Sequence, residues 1–138
     1  MEEKGKPGIW RPDPPASEGA IQKLLTDCRL ALPVAYLNQL RQSNGGEGDL
    51  ALDPCWVCFW SAEQVVEWNK DYEVAEYLPG FFGFGSNGGG ELLAFKVSDS
   101  GDWPIYMIPF VPMEAEYAER IAEDFEEFRN AIGYEYPG

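Results

Sequence analysis

Two apolar stretches joined by a glycine-rich run constrain the fold of this chain more than any other feature. Residues 81–85 and 92–97 are rich in aromatic and aliphatic side chains, and Asn87 and Gly88 lie between them. An Asn-Gly pair is typical of tight turns between antiparallel strands because both residues accept positive φ angles. The pattern therefore predicts a β-hairpin, and with it an antiparallel sheet.

Helical periodicity precedes this hairpin. Apolar residues recur every three or four positions in a helix predicted to start at Ser17 and in a second one predicted to start at Pro33. Apolar residues at the same spacing predict a third helix from Ser61 to about Tyr77. We expect each helix to place its apolar side against the sheet.

The last helical pattern is the longest. We predict one amphipathic helix between Glu114 and Ile132, ended by Gly133. Acidic residues occupy mainly its polar sides. The apolar side carries Ala118, Ile121, Phe125, Phe128 and Ile132.

Two further strands complete the predicted architecture. Val57 and Phe59 favour a strand after Pro54, and residues 105–109 favour another. Strands joined by short turns, with helices before, between and after them, indicate a single α+β domain. We predict a central antiparallel sheet of about four to six strands flanked by helices.

The amino-terminal residues 1–16 differ in composition from the rest of the chain. They carry four prolines among polar residues, a composition that disfavours helix and strand alike. We predict a Pro-rich arm over 1–16, with Trp10 as the residue able to dock it, and an α+β domain over 17–138.

The charge of the chain bears on its partners. Ten Lys and Arg against 24 Asp and Glu give a formal net charge of −14. Such a surface repels phosphate backbones, so direct nucleic-acid binding is not expected. The same charge would accelerate association with a basic protein.

Features that determine cellular location point to the cytoplasm. Residues 1–15 contain no continuous apolar run, so no signal peptide is expected, and no later stretch is long enough to cross a membrane. Cys28, Cys55 and Cys58 are an odd number, which favours free thiols in a reducing compartment.

Catalytic and metal motifs are incomplete. The chain has no His, which excludes Ser-His-Asp and Cys-His catalysis. The C-x-x-C spacing of Cys55 and Cys58 supplies only half of a zinc site. Residues 83–88 match G-x-G-x-x-G, but a strand follows them where a nucleotide-binding fold needs a helix. We predict a protein that is not an enzyme and has no cofactor, metal or catalytic residue.

Two sets of side chains are candidates for contact with a partner protein. Three tryptophans near strand ends or in a turn are predicted to form a partly exposed rim, because Trp is enriched where interfaces concentrate their energy. Acidic residues in the 98–103 turn and on the last predicted helix would face a basic partner. The candidates are Trp56, Trp60, Asp99, Asp102, Trp103, Glu116, Glu119, Glu123 and Glu127.

Five segments together give the chain a family resemblance. In order they read LPVAYL (32–37), NGG (44–46), GFGSNGGGE (83–91), IYMIP (105–109) and DFEEF (124–128). This series resembles the SUKH superfamily, and within it the branch named after the fungal Smi/Knr cell-wall-synthesis regulators. The resemblance implies structural roles for residues of the hairpin and of the last helix. These are Gly85, Gly88 and Gly90, which would shape the hairpin, and Phe125 and Phe128, which would anchor the helix.

The resemblance also implies a function. Many bacterial members look like immunity proteins that bind and block a cognate polymorphic toxin, often a nuclease, whereas fungal members look like regulatory hubs. Our hypothesis is a protein-binding module that occludes a basic toxin. Two alternatives remain open, a regulatory scaffold that binds several cellular proteins and a small-ligand-binding domain beside the glycine-rich hairpin. The sequence leaves the oligomeric state undetermined.

Overall fold

The structure, a computed structural model, describes residues 5–137 and places their seven strands in one antiparallel sheet. The strands are β1 Trp10–Arg11, β2 Glu47–Asp49, β3 Trp56–Phe59, β4 Phe81–Ser86, β5 Glu91–Lys96, β6 Ile105–Pro109 and β7 Glu119–Ala122. The helices are α1 Glu18–Cys28, α2 Val34–Gln42, α3 Val65–Asp71, α4 Val74–Tyr77 and α5 Phe125–Ala131, with a 3₁₀ turn at Ala115–Tyr117. The predicted single α+β domain is confirmed, and the sheet has more strands than the expected range.

The sheet order follows the chain order, from β1 at one edge to β7 at the other. The predicted hairpin is β4–β5, whose register shifts between Gly83 and Gly85. The side chain of Asn87 orders its turn, because Oδ1 accepts hydrogen bonds from the backbone N–H groups of Gly89 and Glu91 at 2.9 and 3.0 Å. Gly88 takes a positive φ of 78° in this turn, which glycine adopts without strain.

The two central strands are covered on both faces. Four consecutive residues of β5 are fully buried, and successive side chains of a strand point to opposite faces. On one face Tyr36 of α2 and Phe125 of α5 contact Phe84 and Phe95 with ring centroids 5.3–6.0 Å apart. Aromatic pairs of this kind each contribute about 0.5–1.5 kcal/mol beyond the area that they bury. This cluster is the centre of the core.

The proline-rich amino-terminal segment packs on the sheet. Trp10–Arg11 pairs with β2, and the Trp10 ring lies edge-on to Phe59 with centroids 6.1 Å apart. The composition was expected to disfavour strand, and at these two residues the chain nevertheless forms one. An edge strand tolerates prolines beside it because only one of its sides needs backbone donors.

The long helix predicted for 114–132 is wrong. The chain forms the 3₁₀ turn, then β7, and only α5 is α-helical. Asp124 stops any continuation because it is an extended N-cap whose Oδ1 accepts from the Glu127 N–H at 2.9 Å. Glu127 in turn accepts from the N–H of Glu123, the residue before the N-cap, at 2.8 Å, and this bond further fixes the start of the helix. Residues 119–122, which were predicted to be helical, instead form β7 and pair with β6.

The third predicted helix is broken in two. It begins as α3 and is interrupted at Glu73, which has a φ of 56°, before α4 resumes at Val74. A residue whose backbone is in the left-handed conformation interrupts a right-handed helix.

Candidate partner-binding surface

An open groove rich in carboxylates lies between the β5–β6 loop and the turn that joins β7 to α5. Its volume is about 710 Å³. The side chains that line it carry four carboxylates and two cations. We call it the acidic groove, and its charged and polar lining consists of Lys96, Ser98, Asp99, Ser100, Asp102, Arg120, Glu123 and Asp124.

Trp103 fixes the loop that forms one wall of the acidic groove. Its indole N–H donates to the Ser98 carbonyl at 2.8 Å, and its ring lies 5.7 Å from that of Phe95. The loop is closed further by the Ser98 and Ser100 hydroxyls, 2.8 Å apart. Asp99 and Asp102 are consequently held at exposed positions on a loop anchored in the core.

The opposite wall is partly neutralised. Glu123 Oε2 pairs with the Arg120 guanidinium at 2.8 Å, and both side chains remain largely exposed. Such an exposed pair contributes little to stability. The side chains of Asp124 and Glu127 each accept a backbone hydrogen bond at the start of α5. Asp99 and Asp102 are thus the carboxylates of the acidic groove that are exposed and that form no ion pair with another described residue.

Several predicted acidic candidates lie apart from the acidic groove. Glu116 is exposed in the 3₁₀ turn, and Glu119 is exposed on β7. Burial, reinforced by the charge of Glu119, raises the pKa of Glu91. Of the predicted acids, the structure therefore brings together Asp99, Asp102 and Glu123 at the acidic groove, whereas Glu116, Glu119 and Glu127 do not line it.

The predicted rim of tryptophans is wrong for two of its three members. Trp60 is only 3% exposed and Trp103 only 4% exposed. Trp60 is covered by α3, since its ring lies 5.2 Å from Trp68 and stacks on Tyr72 at 6.0 Å. Trp56 is half-buried on β3 and does not line the acidic groove.

A second concavity was not predicted from the sequence. We call it the apolar cleft. It has a volume of about 470 Å³ and lies where the end of α1 meets α3, α4 and the start of β4. Residues 27–30 on one side of it are distant in the chain from residues 66–82 on the other, so no local pattern marks it. Its lining is Asp27, Cys28, Leu30, Val66, Asn69, Lys70, Glu73, Ala75, Glu76, Phe81 and Phe82.

The three thiols are held in their neutral form. Burial, followed by contact of Sγ with Glu47 Oε2 at 3.2 Å, raises the pKa of Cys58 to about 11. Burial also raises the pKa of Cys28 and of Cys55. A thiol in this state is a poor nucleophile near neutral pH, because the thiolate is the reactive form.

Two further findings concern residues 5–137. Within this range, no group of three or more His, Cys, Asp or Glu side chains is arranged to hold a metal ion. None of the helices described there has the length and the apolar composition that a membrane crossing requires.

The structure is that of a small α+β protein with an open groove whose lining carries four carboxylates and two cations. The model of the SMI1 / KNR4 family (SUKH-1) matches residues 15–131, and the chain belongs to this family. The resemblance inferred from five sequence segments is thereby confirmed. A search of curated proteins found no match. Family membership is consistent with a protein-binding or immunity role, and SUKH proteins are generally non-enzymatic.

Proposed function

We propose that this protein is a cytoplasmic immunity protein that binds a basic cognate toxin and occludes its active site or substrate groove. The observation that carries the proposal is the position of Asp99 and Asp102. Both carboxylates are exposed at the acidic groove, on a loop anchored by Trp103. They are therefore held in place before a partner arrives, which lowers the entropic cost of association.

The electrostatics support a basic partner. The chain carries a formal net charge of −14, and the acidic groove adds local charge of the same sign. Complementary charge raises association rates and discourages wrong partners more than it adds raw affinity. A nuclease that grips a phosphate backbone presents the positive surface that such a groove fits.

The described thiols support the proposed compartment. Cys28, Cys55 and Cys58 are all free. Structural disulfides are rare in the reducing cytoplasm, where free thiols persist.

The first experiment is a pull-down from the native host with the tagged protein at low and moderate salt, followed by mass spectrometry. We expect one basic, toxin-like protein, whose toxicity or enzymatic activity the purified chain blocks. Recovery of several unrelated partners would favour a regulatory scaffold instead. Recovery of none at either salt would overturn the immunity proposal.

The second experiment measures the binding kinetics of the recovered partner. Asp99→Asn with Asp102→Asn should lower the association rate about tenfold at low salt and much less at high salt. The matched control is Glu114→Gln with Glu135→Gln, which removes the same charge from exposed positions outside the groove. Equal effects of the two double variants would show that only net charge matters and would remove the groove from the proposal.

A further inference from the structure

The apolar cleft has the construction of an anchor site for one large side chain. Its floor is formed by Leu30, Val66, Phe81 and the buried Phe82, and Cys28 closes one side. A volume of about 470 Å³ exceeds that of any single side chain, so an aromatic or long aliphatic group fits without rearrangement. Interfaces concentrate their energy in such pockets.

The charged residues that line the apolar cleft are three acids, Asp27, Glu73 and Glu76, and one cation, Lys70. Glu73 and Glu76 lie together there, and the hydrogen bond and like charge from Glu76 raise the pKa of Glu73. The left-handed backbone of Glu73, with φ at 56°, holds its carboxylate at the break between α3 and α4. Asp27 is already paired with Lys23 at 2.7 Å. A cation placed at the Glu73–Glu76 pair would relieve their repulsion.

One contact links the lining of the apolar cleft to the lining of the acidic groove. Phe81 lines the cleft, and Lys96 lines the groove. The Lys96 ammonium lies 4.6 Å from the centroid of the Phe81 ring, so the two concavities are neighbours on the surface. One partner can therefore cover both concavities in a single interface.

We propose that the apolar cleft is the anchor site for a large apolar side chain of a basic partner protein, flanked in that partner by a Lys or Arg that reaches Glu73 and Glu76. This inference rests on the proposed function, since it assigns a second contact to the same partner. The acidic groove governs the approach of the partner, whereas the cleft governs its residence time, because desolvated anchors act mainly on dissociation.

The test uses a phage-displayed library of random 12-residue peptides as the probe. Selection on the full chain should enrich peptides with a large apolar residue next to Lys or Arg. Ala75→Trp, at an exposed position in the cleft lining, should weaken an enriched peptide at least about tenfold by filling the site. Ala115→Trp, at an exposed position of the 3₁₀ turn outside the cleft, is the matched control and should bind as the parent does.

A second variant probes the Glu73–Glu76 pair without changing the shape of the cleft. Glu73→Gln with Glu76→Gln should weaken the same peptide about threefold at low salt and have no effect at high salt. No enriched sequence, or enriched peptides that bind equally to the Ala75→Trp and Ala115→Trp variants, would overturn the proposal.

The outcome separates the two proposals of partner binding. If the toxin recovered from the host binds through Asp99 and Asp102 while Ala75→Trp leaves its dissociation rate unchanged, the cleft proposal fails and the immunity proposal stands. If peptides select the cleft but no toxin is recovered, the immunity proposal fails and the cleft remains a peptide-binding site.

Discussion

The side-chain amide of Asn69 pairs with both backbone polar groups of Gly83. Oδ1 accepts from the Gly83 N–H, and Nδ2 donates to the Gly83 carbonyl, each at 2.8 Å. Strand β3 pairs only with the far end of β4, at Gly85 and Ser86, so it does not reach Gly83. Asn69 therefore takes the place of a strand residue and joins α3 to the sheet.

Replacement of Asn69 by Ala should be strongly destabilising. It leaves the buried N–H and carbonyl of Gly83 without partners, and we expect a loss of about 2–3 kcal/mol in the free energy of unfolding, measured by urea denaturation. Asn38→Ala is the matched control, because Asn38 accepts one exposed hydrogen bond from Arg41. Its effect should stay within about 0.5 kcal/mol. Similar losses for both variants would contradict the role of Asn69.

Gly85 and Gly90 should differ sharply in their tolerance of a side chain. A Cβ at Gly85 would lie 2.5 Å from the Cys58 carbonyl oxygen, whereas one at Gly90 would meet nothing within 4 Å. We expect Gly85→Ala to cost about 3 kcal/mol by separating β3 from β4, and Gly90→Ala to be nearly neutral. Thermal unfolding of the two variants provides the comparison, and equal melting temperatures would refute it.

The hydroxyl of Tyr36 should be dispensable. The residue is fully buried in the aromatic cluster, and its hydroxyl has no hydrogen-bond partner among the described residues. Tyr36→Phe removes this unsatisfied group and keeps the ring contacts, so the free energy of unfolding should rise by about 1 kcal/mol. Tyr36→Leu, which removes the ring contacts, should lower it. A loss of stability in Tyr36→Phe would show that the hydroxyl forms a hydrogen bond in solution.

The N-cap hydrogen bond of α5 should contribute more to stability than the neighbouring ion pair does. Asp124→Ala removes the acceptor for the Glu127 N–H and should cost about 1 kcal/mol. Glu126→Ala in the same helix breaks only an exposed pair with Arg129 at 3.6 Å and should cost a few tenths of a kcal/mol. Chemical denaturation of both variants tests the difference, and the reverse order would contradict it.

The reactivity of Cys58 should depend on pH and on Glu47. Because its pKa is raised to about 11, the fraction of thiolate is small at neutral pH and grows as the pH rises toward that value. Glu47→Gln removes a nearby negative charge that opposes ionisation, so the alkylation profile of Cys58 should move to lower pH.

Site-resolved mass spectrometry after iodoacetamide treatment measures this profile. Cys55 is exposed, and Glu47 is not among the groups that raise its pKa. It serves as the control within each sample. An unchanged Cys58 profile in Glu47→Gln would mean that burial alone suppresses the thiolate.

Local patterns in the sequence predicted the elements that local chemistry determines. Asn87 and Gly88 located the β4–β5 turn, and Ser17 was expected to cap α1 as it does, accepting from the Ala20 N–H at 3.0 Å. These features depend on residues within four positions of one another. The family resemblance extended the same information to the whole fold.

Features that depend on distant residues escaped prediction. Residues 119–122 satisfy a helical pattern, but β6 offers them backbone partners, and this pairing outweighs the local preference. Trp60 was expected at the surface because nothing in its neighbourhood shows that α3 packs over it. The apolar cleft joins residues 27–30 to residues 66–82, so only the tertiary structure reveals it.

The order of strands in the sheet has a consequence for how the chain folds. Four successive strands, β4 to β7, pair with their chain neighbours through turns that contain no α-helix. Closing a short loop costs less entropy than closing a long one, so this meander should form early. The connection between β1 and β2 contains α1 and α2 and is the longest loop that must be closed between two paired strands of the sheet. The amino-terminal edge, although synthesised first, is therefore expected to be the last strand to gain protection from hydrogen exchange.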